Sequence, residues 1–189
     1  MGKFDGLLLV SDFDDTLYDS HHRVPPRNLA AINYWLREGG RFTVATGRAY
    51  TTFSPYVHLA PINAPVVLSN GSAIYDFHTQ TMLVETQLDP RAPQDFQALM
   101  DAMPSLGMEA YHGEDIYVFR PNEVTYSHMR KVGTDYTLAP ISGMPTPWNK
   151  VIVQQEYDQL LKARAWLEEH CPERYEAIFS NRYYLEITR

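Results

Sequence analysis

The chain has 189 residues, 44% of them apolar, which suits one large domain or two small ones with a core of ordinary size. Sixteen basic against 23 acidic residues leave a net charge of -7, and no basic run exceeds Arg130-Lys131, which argues against nucleic acid as the main partner. A single cysteine, Cys171, excludes an internal disulfide. Leu7–Val10 is too short for a signal peptide or a membrane span, and "MGKFDG" lacks the Ser or Thr of a myristoylation signal. A soluble cytoplasmic protein is expected, and small phosphorylated ligands remain compatible with it, because they need only one or two cations, backbone amides and a metal.

The first predicted element is "GLLLV", a short aliphatic run of the kind found in strands buried on both faces. It runs into the acids Asp12, Asp14 and Asp15 and then a polar turn. His21 and His22 lie in that turn and are expected to be solvated, since no metal-ligand spacing follows them. In "RNLAAINYWLREGG", Leu29, Ile32 and Leu36 share one helical face, with Pro25-Pro26 as start and Gly39-Gly40 as stop. "RFTVATGR" and "APVVLSNGS" then read as second and third strands of a parallel α/β sheet. The acid cluster, "ATGR" and "SNG" all fall at strand carboxyl ends, where open α/β sheets bind ligands.

After residue 75 the pattern changes. "AIYD" and "TMLVET" predict a hairpin, and "PRAPQDFQALMDAM" a helix with Phe96, Leu99, Met100 and Met103 on one face. "MEAYH" and "DIYVF" read as antiparallel strands, followed by "WNKVIVQQ", a helix in "YDQLLKARAWLEEH", and "YEAIFS" and "YYLEI" joined by a two-residue Asn181-Arg182 turn. An antiparallel sheet covered on one face, in a second domain over 84–184, is expected. Residues 1–83 then form the first domain, and 185–189 lead back towards it.

D-x-D-x-T-L at Asp12–Leu17 is the strongest chemical signal. A carboxylate at a strand end can take up a phosphoryl group covalently, provided a divalent cation bridges it to the phosphate dianion. A second acid two residues on can protonate the leaving oxygen and later activate water. The turn's N–H groups, the Thr46 hydroxyl and the Gly47 amide can hold phosphoryl oxygens. By itself T-G-R is a weak signal, and Asn70-Gly71 alone reads equally well as a plain turn.

In this order and spacing, "DFDDTL", "ATGR" and "LSNGSAIYD" resemble the haloacid dehalogenase (HAD) superfamily of aspartate-dependent phosphohydrolases. The resemblance is closest to its Cof-type members and covers essentially the whole chain. It implies a partial Rossmann-like parallel α/β core with an inserted α+β cap of type IIB. Asp12 would be nucleophile and magnesium ligand. Asp14 would be the acid/base, with its backbone carbonyl on the metal. The Phe13 amide, Thr46 hydroxyl and Gly47 amide would hold the phosphoryl group, with Arg48 and Asn70 beside them. The cofactor implied is Mg2+, and the substrate a small phosphorylated metabolite such as a sugar phosphate.

Two departures stand out. Asp15 replaces a glycine usual in the first motif, a change the turn should tolerate. The family's later lysine and its G-D-x-x-N-D-like segment do not appear before Arg189, and Lys150 and Lys162 read as exposed charges on a cap strand and a cap helix. A truncated chain is therefore expected, with half a core, a complete cap, and an open sheet edge that invites self-association. The alternative to a phosphatase is a catalytically weak protein that binds phosphorylated ligands or a partner chain. A dinucleotide-binding protein is disfavoured, because no G-x-G-x-x-G follows a strand.

Overall fold

The computed structural model describes residues 2–21 and 23–189, so His22 lies outside the described residues. Two units are distinguishable, one ending at Glu85 and the other spanning Thr86–Arg189.

In the first unit, β1 (Leu8–Asp12), β2 (Arg41–Ala45) and β3 (Val66–Leu68) run parallel. β4 (Ala73–Asp76) and β5 (Thr81–Glu85) extend the sheet antiparallel, giving the order β1-β2-β3-β4-β5. α1 (Pro26–Arg37) begins with Pro26, whose fixed φ and missing N–H suit a first helical turn. Its Ile32 is buried, and Leu29, Trp35 and Leu36 pack on the cluster that holds Phe42 and Val44 of β2. Each fully buried side chain of this size contributes about 1.5–3 kcal/mol. The helix stops at a tight return: a Cβ on Gly40 would lie 2.3 Å from the Trp35 indole nitrogen, which donates to the Arg41 carbonyl at 2.9 Å.

β1 departs from expectation. It is an edge strand, not a strand buried on both faces, and Leu8, Leu9 and Val10 are 54%, 42% and 47% exposed. The physical reason is that only β2 lies beside it among the described residues, so its aliphatic side chains have no second neighbour.

The second unit is a six-stranded sheet in the order β10-β11-β9-β6-β7-β8. Its strands are β6 (Gly107–His112), β7 (Asp115–Phe119), β8 (Thr137–Leu138), β9 (Lys150–Gln154), β10 (Glu176–Asn181) and β11 (Tyr184–Thr188). Alternation decides the faces. Met108, Ala110, Val151, Val153, Leu185 and Ile187 form one core with Phe96 and Leu99 of α3 (Ala92–Ala102) and Leu160 and Leu167 of α5 (Tyr157–His170).

Three expectations need correction. Residues 185–188 are not a segment outside the second domain; they form part of β11, because Leu185 and Ile187 are core residues of this sheet. The sheet is not covered on one face alone: α4 (Glu123–Val132) sets Met129 against Tyr111, Val118 and Ile152 on the other. The last hairpin turns at Arg182-Tyr183 instead of Asn181-Arg182. Asn181 pairs with Tyr184, and its side-chain oxygen accepts from the Tyr183 N–H at 2.7 Å.

Candidate active site

The parallel register collects the motif residues at one sheet edge. Asp12, the last residue of β1, lies opposite Ala45, and Ala45 lies opposite Val67. The segments "TGR" and "SNG" therefore leave the sheet from the same edge as the acids. They are tied together: the Ser69 N–H donates to the Arg48 carbonyl at 2.9 Å, and the Asn70 N–H to the Thr46 carbonyl at 3.2 Å. Asn70 holds left-handed backbone angles (φ 57, ψ 32), which asparagine tolerates. A Cβ on Gly47 would meet Asn70 Oδ1 at 2.8 Å, so a side chain here would displace the Asn70 amide.

The acidic turn is anchored from inside. The Phe13 ring is 1% exposed, stacks on Tyr18 at 5.1 Å and meets Phe53 edge-on at 5.0 Å. The Phe13 carbonyl accepts from the Leu17 and Tyr18 N–H groups at 3.1 and 2.8 Å, which closes the turn. With Phe13 held inward, Asp12 and Asp15 are exposed and Asp14 is half-buried. Asp15 has φ +59, the left-handed region that favours glycine and that aspartate also accepts.

Asp14 is held by Arg48. Arg48 Nε lies 3.1 and 2.9 Å from the two carboxylate oxygens, and Nη2 lies 2.7 Å from Oδ1. The guanidinium is itself fixed by the Thr52 carbonyl at 3.2 Å and by the Tyr56 ring, 4.4 Å away. Its bonds to Asp14 raise the Arg48 pKa further above its ordinary value against the opposing effect of burial. Thr46, 5% exposed, accepts the Arg48 N–H at 3.1 Å and approaches Asp14 Oδ2 at 3.4 Å. The Asp12 carboxylate has no hydrogen-bond or ion-pair partner among the described residues.

Of the predicted site residues, Asp14, Thr46 and Arg48 are in direct contact, Gly47 packs on Asn70, and Phe13 anchors the turn. Tyr56 and Thr52 were missed. Thr52 lies in α2 (Tyr50–Phe53) and Tyr56 in the 3-10 turn Ser54–Leu59 that follows it, and no local pattern marks them as supports for Arg48.

Among the described residues, no group of three or more His, Cys, Asp or Glu is placed to hold a metal ion. The donor chemistry nevertheless fits Mg2+, which takes one or two carboxylates, keeps several waters and accepts oxygen ligands only. Asp12 offers such a carboxylate at an open position.

The second unit carries a buried polar network that the sequence did not reveal. Glu109, fully buried, accepts from Tyr111 at 2.9 Å and from the Gln154 side chain, and lies 2.8 Å from His128 Nδ1 of α4. Burial, reinforced by Glu109, pushes the Tyr111 pKa well up, so its hydroxyl stays a donor. Lys150 is not the exposed charge expected from the sequence. It is 4% exposed, 3.2 Å from Glu186 and 4.7 Å from the Tyr111 ring centre, because its position alternates onto the same sheet face as those residues. Cys171 is a buried thiol whose pKa is raised, chiefly by desolvation.

The chain belongs to the haloacid dehalogenase-like hydrolase family, whose profile matches residues 9–189. It is 28% identical to an HMP-PP phosphatase of Serratia proteamaculans over 95% of this chain and 66% of that one. Its fold matches a haloacid dehalogenase-like hydrolase from Bacteroides thetaiotaomicron with a TM-score of 0.80 at 18% identity, over 98% of this chain and 71% of that one. It likewise matches a sugar phosphatase of HAD subclass IIB with a TM-score of 0.77 at 14% identity, over 96% and 69%. The chain thus spans about two thirds of the length of these proteins. No helix among the described residues is long and apolar enough to cross a membrane.

Proposed function

We propose that the chain carries the nucleophile, the acid/base and the cap of a Mg2+-dependent phosphatase of small phosphorylated metabolites, sugar phosphates among them, acting in the cytoplasm. One Asp12 oxygen attacks phosphorus while Asp14 protonates the departing alkoxide, leaving an aspartyl-phosphate. Asp14 then takes a proton from water, whose oxygen attacks phosphorus and releases phosphate and free Asp12. The Thr46 hydroxyl and the amides of Phe13 and Gly47 hold the phosphoryl oxygens. Asp12 and the Asp14 carbonyl would hold the cation, and its charge would offset the repulsion between carboxylate and phosphate. The Thr86–Arg189 unit would be the cap domain of such an enzyme.

The observation that carries this reading is the alignment of Asp12, whose carboxylate has no partner among the described residues, with "TGR" and "SNG" at the carboxyl ends of three parallel strands. The test is the rate of Mg2+-dependent hydrolysis of p-nitrophenyl phosphate by the full chain and by Asp12→Asn. A drop of at least a hundredfold is expected in the variant; equal rates refute the assignment. The scarcity of clustered metal carboxylates among the described residues favours a second reading, a protein that binds phosphorylated ligands with little turnover. Under that reading, phosphate binding is measurable by calorimetry while both chains hydrolyse nothing above background.

A further inference from the structure

We infer that Arg48 is a positioning residue that keeps the Asp14 carboxylate out of the metal's coordination shell by serving as its built-in counter-cation. The inference deepens the phosphatase reading and rests on it. Three contacts of 2.7–3.1 Å bind the guanidinium to both Asp14 oxygens. The guanidinium is in turn immobilised by the Thr52 carbonyl and the Tyr56 ring. A planar fork held on both sides presents fixed geometry that a lysine ammonium does not reproduce. Asp12 and Asp15, by contrast, have no such partner among the described residues. When Asp14 is ionised, it and Arg48 together are a neutral unit, so a divalent cation arriving at the turn would meet the Asp12 carboxylate and would not be drawn to Asp14. The consequence for the reaction is a division of labour: one acid is left for the cation and phosphorus, the other for protons.

The inference predicts that removing Arg48 tightens cation binding, the reverse of what loss of a merely structural side chain gives. The probe is Mn2+, whose binding is read from the loss of its free-ion electron paramagnetic resonance signal and needs no turnover. Arg48→Gln should bind Mn2+ about five- to tenfold more tightly than the unmodified chain, the size expected from deleting one nearby positive charge. Arg48→Lys, which keeps the charge, and the double variant Arg48→Gln/Asp14→Asn, which restores neutrality, should stay within about twofold of it. Should Arg48→Gln fail to fold, as judged by circular dichroism, Arg48→Met retains the aliphatic stem and should show the same gain. Unchanged or weaker Mn2+ binding in the folded neutral variant overturns the inference, as does a gain that persists in the double variant. Failure of the phosphatase reading is seen separately, as equal hydrolysis by the unmodified chain and Asp12→Asn.

Discussion

Four aspartates lie between residues 12 and 19, and each meets its charge differently. The Asp12 carboxylate is exposed and has no partner among the described residues, Asp14 is bonded to Arg48, and Asp15 sits exposed at a left-handed turn position. Asp19 pays a desolvation penalty that raises its pKa. The N–H groups of His21 and Arg23 outweigh it, so the net shift is downward. Asp89 is a clearer case of such linkage. Hydrogen bonds from the Arg91 side chain and N–H hold its pKa at about 2, below the ordinary 3.8. A depressed carboxyl pKa stabilises the fold above the unfolded value and loses that contribution as pH falls through the folded one. The melting temperature should therefore fall between about pH 4 and pH 2, and Asp89→Asn should show a shallower fall over that window in a thermal melt followed by circular dichroism.

At the level of elements, β1 has the composition of an interior strand in an edge position. Leu8, Leu9 and Val10 are open to solvent, and one rank of backbone N–H and C=O groups faces away from β2. Such an edge templates association, and a charge on it blocks pairing. The chain should self-associate with rising concentration in sedimentation velocity runs, and Val10→Lys should shift it by at least tenfold in concentration towards monomer; identical profiles would count against the edge as the contact. α4 shows the opposite failure of legibility. Its signals are slight, since only Thr125 and Met129 are buried, and its capping box pairs Asn122 with Thr125 instead of the usual Glu or Gln. α1, α3 and α5 were readable because each presents a full apolar stripe to a sheet.

Over the whole molecule, each unit has its own core, built on Phe42, Val44 and Val66 in the first and on Phe96, Met108 and Val153 in the second. The parallel-sheet unit and the α+β unit were legible because hydrophobic period and turn residues are local properties of the chain. The placement of Asp12, Thr46 and Asn70 at one edge followed from strand order alone. The Asp14–Arg48 fork, its Tyr56 support and the Glu109–His128–Gln154 network were not legible. They depend on strand register, helix rotation and a side chain's final direction, none of which leaves a periodic trace.

The central claim is that Asp12 forms a covalent bond to phosphorus. Borohydride reduction of the chain during turnover of p-nitrophenyl phosphate with Mg2+ converts an aspartyl-phosphate to homoserine, which peptide mass spectrometry locates. The account predicts homoserine at position 12, dependent on substrate. Hydrolysis accompanied by homoserine at position 14 or 15, or by no reduced aspartate at all, would contradict it.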